Sequence, residues 1–268
     1  MKYCLSSRQT KKYLTMADEI FVESRDYRQI SDLFIEYPET MIILEISNDN
    51  LYDTDYMNVV EQYGKSSENF CCCIYNLKEA EWFKERNIKF YYGYPISNFY
   101  DLQALKELGV EYIKLMAPLT FHISWLGKQD MKFRMVPNVA YDAYIPRSNG
   151  ICGQWVRPED INWYDIGIYV FEFEDASLDK ERTLYEIYAQ KGVWNGNLNL
   201  LLTNLNVNAD NRALPDDIGE TRANCGQRCM ERGNCHFCET AFLFEKAMRK
   251  YKYERENTEL TSAPQENN

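Results

Sequence analysis

Short apolar runs separated by segments of helical period recur along the first two hundred residues, and this alternation restricts the fold more than any single motif. The runs are Lys2–Leu5, Glu19–Glu23, Met41–Ile46, Phe70–Tyr75, Lys89–Tyr94, Tyr112–Leu115, Lys132–Val136, Ile168–Phe173 and Leu198–Leu202. They are rich in Ile, Val, Phe and Tyr, as strands covered on both faces by helices should be. Helical stretches such as Asp26–Glu36, Tyr56–Tyr63, Leu77–Arg86, Phe99–Leu108 and Asp179–Gln190 lie between them. Strands alternating with helices imply a parallel sheet. The clearest units are the tandem segments LKEAEWFKERNIKFYYGYP and FYDLQALKELGVEYIKL, each an amphipathic helix, a turn and a strand. In the second, Leu102, Leu105 and Leu108 form the buried stripe, and Gly109 is the expected left-handed helix stop. The expected fold is α/β, a (β/α)8-type barrel, complete or distorted, over residues 1–206. A doubly wound open sheet shares the same local pattern, and the missing GxGxxG removes only its common nucleotide-binding form.

After about Asn206 the apolar rhythm stops. The segment to Cys238 is rich in Asn, Asp, Arg and Gly and has no hydrophobic core of its own, so its order needs another cause. Residues 207–253 are expected to be a cysteine-rich, metal-binding loop followed by a helix at about Glu239–Tyr253 that packs on the barrel. Residues 254–268 read as a disordered tail.

The chain carries 41 acidic and 30 basic residues, a formal charge of −11. Such a surface repels phosphate backbones and anionic lipid, which disfavours bulk nucleic-acid binding. No run reaches the length of a spanning helix, and MKYCLSSRQTKKY lacks a signal peptide's apolar stretch, so a cytoplasmic protein away from the membrane is expected.

Nine cysteines in a reducing compartment are expected to be thiols or metal ligands. Cys71, Cys72 and Cys73 read as a buried strand, because adjacent residues face opposite ways. Cys225, Cys229, Cys235 and Cys238 are different: CxxxC, five residues, then CxxC places four soft ligands within one short polar loop. Gly226 and Gly233 supply tight turns, and Arg222, Arg228 and Arg232 favour thiolate over thiol. The spacing fits an iron–sulfur cluster or a structural zinc and does not separate them. Cys152, in the Gly-flanked loop SNGICGQWVRPED, is a candidate fifth thiol of that site.

Cys152–Leu202, with Arg157-Pro158-Glu159 before a helix, Gly167-Ile168 at a strand entry and the late cysteines after it, resembles the collagenase-like peptidase family U thirty-two. The resemblance implies a β/α barrel presenting an iron–sulfur cluster near its mouth. Members include peptidases and proteins of oxygen-independent hydroxylation, so it implies an enzyme that modifies, for instance hydroxylates, a small or medium substrate. This chain is shorter, more acidic and differently spaced in its cysteines.

Other readings stand beside it. A non-catalytic binding or assembly protein with structural zinc, engaging a protein partner, has the same cysteine pattern. A cysteine peptidase would need Cys152 to meet His122, one of two histidines with His236; HExxH and GxSxG are absent. In a barrel the chemistry sits where strands end. Glu23, Glu45, Lys114, Asn138 and Glu172 occupy such positions, with Glu23 and Glu45 a candidate carboxylate pair. Arg157 and Glu159 are further candidates, although Pro158 and two acids also make ordinary helix-start chemistry. Tyr91, Tyr92, Tyr94, Trp155 and Trp163 are candidates for lining a ligand groove, beside a plain core role.

Overall fold

A computed structural model describes residues 2–96, 98–116, 126–138, 155–164, 168–174, 176–190, 192–203, 210–214 and 217–223. Eight strands form one sheet: β1 (Lys2–Ser6), β2 (Glu19–Val22), β3 (Met41–Glu45), β4 (Phe70–Ile74), β5 (Phe90–Tyr92), β6 (Tyr112–Met116), β7 (Lys132–Val136) and β8 (Ile168–Glu172). Their order is β5-β4-β3-β2-β1-β8-β7-β6, with every pairing parallel. This is the circular order of a (β/α)8 barrel cut between β5 and β6, which decides the alternative against an open sheet. At the cut the Glu111 N–H donates to the Phe90 carbonyl at 2.8 Å and the Ile96 N–H to the Lys114 carbonyl at 3.0 Å. The barrel is nearly closed.

Eight of the nine expected strands form. The ninth, Leu198–Leu202, is instead a short helix over Leu198–Leu201, started by the Asn197 side chain accepting from the Asn199 N–H. Leu198 and Leu201 are buried and Leu200 is exposed, so the three-residue spacing of a helical face wins over strand alternation.

The strand residues divide into two sets. Leu5, Ile20, Val22, Ile42, Leu44, Cys72, Phe90, Ile113 and Met135 face outward, in one cluster with helix residues such as Ile30, Val60, Phe83, Leu102 and Leu184. Cys4, Ile43, Cys71, Cys73, Tyr91, Tyr112 and Val170 face the lumen. The three consecutive cysteines therefore point alternately inward, outward and inward, all fully buried. The helices that cover the sheet are α1 (Lys11–Leu14), α2 (Ile30–Glu36), α3 (Thr54–Ser66), α4 (Ala80–Glu85), α5 (Phe99–Leu108) and α6 (Leu178–Ala189). Gly109 ends α5 at φ +74, the left-handed stop that its sequence implies.

Residues 210–214 and 217–223 lie against the barrel. Leu214 and Ile218 are buried in the same cluster as the outer layer, so the packed unit extends past residue 206. Gly219 sits so close to Asp160 that an added Cβ would lie 2.3 Å from its Oδ1. The expected tail and late helix fall outside the described residues.

Candidate active site

Strand alternation brings one charged residue from each of several strands into the lumen. Arg134, at the centre of KFRMV on β7, is wholly buried and bonds Glu172 Oε2 through Nε at 2.9 Å. Its Nη1 bonds Glu19 of β2, itself 1% exposed. The guanidinium carbon lies 4.5 Å from the ring centre of Tyr91 and 5.2 Å from that of Tyr112. Tyr112 donates to Glu19 at 3.2 Å and Tyr91 to Glu172 at 3.3 Å.

One layer higher, Lys114 of β6 is 2% exposed and donates to Glu172 Oε1 at 2.7 Å. It also bonds Glu174, two residues beyond Glu172 on the same face. Burial works against the Lys114 charge, but Glu172 and Glu174 outweigh it and hold its pKa above the ordinary lysine value. Burial likewise opposes ionisation of Glu172, yet Lys114 and Arg134 prevail and bring its pKa down to about 2. Lys114 and Glu172 are therefore both ionised at neutral pH.

Above it opens a cavity of about 470 Å³ whose walls include Cys4, Ser6, Arg8, Glu23, Tyr75, Lys114, Glu172, Glu174 and Glu181. Cys4 and Lys114 are mid-strand and form its floor, Glu181 comes from α6, and the remaining walls are the carboxyl ends of the strands and the connections that follow, where β/α barrels place their chemistry. Tyr75 has its place because Gly93 has no side chain: a Cβ there would lie 2.4 Å from the Tyr75 ring and 2.8 Å from the Cys73 sulfur. Burial pushes the Cys73 thiol up to about 11 and raises the Cys4 thiol as well, so neither is a thiolate nucleophile at neutral pH.

Glu181 differs from Glu172. It lies in the first turn of α6, 7% exposed, and accepts from the Ser6 N–H at 2.9 Å and the Gln9 side-chain amide at 2.6 Å. Burial raises its pKa, and these two hydrogen bonds offset that only in part.

The sequence-derived candidates meet different fates. Lys114 and Glu172 are brought together. Glu23 reaches the cavity wall but pairs with Arg8 at 2.9 Å and Arg25 at 2.7 Å, whereas Glu45 accepts from the Ser24 N–H at 3.1 Å. The two carboxylates have separate partners and do not form the expected pair. Asn138 is structural: its amide donates to the Glu174 carbonyl at 2.9 Å and its oxygen accepts from the Glu174 N–H at 3.3 Å, tying the ends of β7 and β8 together. Arg157 forms a two-point ion pair with Asp160, and Glu159 accepts from Asn211. Neither residue lines the mouth cavity, so RPE fastens the segment after residue 209 to the barrel.

Of the aromatic candidates, Tyr91 is in the lumen, Trp155 is core, and Tyr94 is exposed with its ring edge-on to Tyr75 at 5.0 Å. Cys152, Cys225, Cys229, Cys235, Cys238, His122 and His236 lie outside the described residues. Among the described residues no group of three or more His, Cys, Asp or Glu is arranged to hold a metal, and no helix is long and apolar enough to cross a membrane.

Arg8, Arg134, Glu174, Glu181 and Gly93 escaped the sequence reading. Arg134 and Glu174 carried a signal: one is a lone charge inside an apolar run, the other stands two residues past Glu172 on the same strand face. Nothing local distinguishes Glu181 from the other acids of α6. Compared with family models and with curated proteins, the chain matches none.

Proposed function

We propose that the chain is a β/α-barrel enzyme that modifies a small polar substrate in the cavity at the carboxyl ends of its strands. One observation carries this reading: the buried ion cluster of Arg134, Lys114, Glu172 and Glu174 directly beneath that cavity. A lumen filled for stability alone uses branched apolar side chains, and buried ion pairs contribute little net stability. An ammonium group has three N–H donors. Glu172 and Glu174 take two from Lys114, which leaves one at the cavity wall for a substrate oxygen. Held cationic and dry, Lys114 stabilises negative charge that develops on that oxygen.

The test is a thermal-shift screen of small acids, amines and zwitterions on the full chain, repeated on Lys114→Gln. A compound that stabilises the wild type is expected to bind the variant at least about tenfold more weakly, about 1.4 kcal/mol, while the variant still unfolds cooperatively. Equal binding to both proteins refutes the assignment.

We further propose, on cysteine spacing and the RPE resemblance, that Cys225, Cys229, Cys235 and Cys238 hold an iron–sulfur cluster, with structural zinc as the second choice and Cys152 as a candidate additional ligand. This would make the chain an enzyme similar to the U thirty-two family. Elemental analysis and a visible spectrum of anaerobically purified protein decide it. One zinc per chain shifts the reading to a stabilised binding protein, and absence of both metals removes the site.

A further inference from the structure

The mouth cavity holds two carboxyl groups in opposite surroundings. Glu172 is clamped between Lys114 and Arg134 at 2.7 and 2.9 Å. Glu181, on the same cavity wall, makes no ion pair among the described residues, and its oxygens meet only the neutral Ser6 N–H and Gln9 amide. Gln9 is itself fixed, since its amide also donates to the Leu178 carbonyl at 2.8 Å, in the first turn of the helix that carries Glu181. The charged and titratable groups that line the cavity with Glu181 are Cys4 and Arg8 from β1 and its following loop, Glu23 after β2, Tyr75 after β4, Lys114 of β6, and Glu172 and Glu174 at and just after the end of β8. Arg8 is engaged by Glu23 and Asp26, and Lys114 by the two β8 acids, so both cations are committed elsewhere.

Resting on the mouth-site reading above, we propose that Glu181 is the general acid of this site, giving its proton to a substrate atom bound in the cavity, and that Gln9 positions it. The O–H bond of the Glu181 carboxyl breaks as a bond to hydrogen forms on a substrate oxygen or nitrogen. The Ser6 N–H and the Gln9 amide hold the resulting carboxylate, and water from the open side of the cavity returns the proton. Lys114, which lines the same cavity, stabilises the oxygen where negative charge develops. Two carboxyls whose environments drive them apart, one fixed as an anion by two cations and one whose ionisation burial opposes, are the usual division of labour in acid–base sites. Burial is what favours the protonated form of Glu181.

The test is an infrared pH titration of the full chain beside Glu181→Gln and Gln9→Leu. A protonated-carboxyl band is expected to survive above the ordinary glutamate range in the wild type, to vanish in Glu181→Gln, and to persist to still higher pH in Gln9→Leu, which has lost a donor to the carboxylate. With a substrate found by the thermal-shift screen, Glu181→Gln is expected to lower kcat by about 100-fold or more with little change in KM. Its profile should also lose the alkaline limb. A band that Glu181→Gln leaves in place, or an unchanged kcat, overturns the proposal. Lys114→Gln is expected to weaken binding at least about tenfold while the band assigned to Glu181 by its loss in Glu181→Gln remains beside any new band from Glu172, so failure of the mouth reading and failure of the Glu181 assignment are told apart.

Discussion

Glu172 and Glu181 lie on one cavity wall, yet their stabilities depend on pH in opposite directions. Glu172 has its folded pKa lowered to about 2 by Lys114 and Arg134, against an unfolded value near ~4.3. Its contribution, on the order of 3 kcal/mol, is complete above the unfolded value and is lost as pH falls through about 2. Glu181 has a raised pKa, so its contribution is complete below the unfolded value and is lost as pH rises through the folded one. Urea unfolding across pH is expected to show Glu172→Gln destabilised by about 3 kcal/mol at neutral pH, because Lys114 and Arg134 each lose one of their two carboxylate partners and keep only Glu174 and Glu19. That deficit should shrink in acid. Glu181→Gln is expected to gain stability relative to wild type as pH rises. Parallel profiles for the two variants would contradict these surroundings.

At the level of the elements, local chemistry places the boundaries and alternation aims the side chains. The α5 helix starts at Asn98, whose side chain accepts from the Asp101 N–H at 2.9 Å, and stops at Gly109 with φ +74. A Cβ at Gly109 meets nothing within 4 Å, so Gly109→Ala tests backbone conformation alone. It is expected to cost about 1 kcal/mol in thermal unfolding with no change in the mouth cavity. The pattern of short apolar runs made the eight strands legible, and alternation within each sends one set outward to the helices and the other into the lumen. It misled at Leu198–Leu202, where a run of leucines serves either period and Asn197 tipped it to a helix. Glu181 was illegible at this scale, because its position on α6 acquires meaning only from Ser6 and Gln9 far upstream.

For the molecule as a whole, the barrel's weak point is the junction of β5 and β6. β5 has three residues, and two backbone hydrogen bonds outside the regular ladders, from Glu111 and Ile96, bridge that side. Opening of a fold starts where backbone pairing is sparse. Hydrogen exchange is expected to be fastest among the strand amides of β5 that face β6, and slowest in β2 and β3, which are laddered on both sides. Uniform protection around the ring would show that the junction is as firm as the rest. The Lys114–Glu172 contact lies near this side, so the mouth site shares whatever motion the junction has.

The repeating helix–strand pattern, the faces of the strands, the Gly109 stop and the burial of the cysteine run follow from residues within a few positions of one another, and the amino-acid order alone decides them. The site does not follow from that order. Arg134 meets Glu19 across 115 residues of chain and Lys114 meets Glu172 across 58, contacts that exist only once the ring of strands has come round on itself. Whether a carboxyl in that lumen is an anion or an acid then depends on burial and on which cations reach it, and both are properties of the assembled barrel.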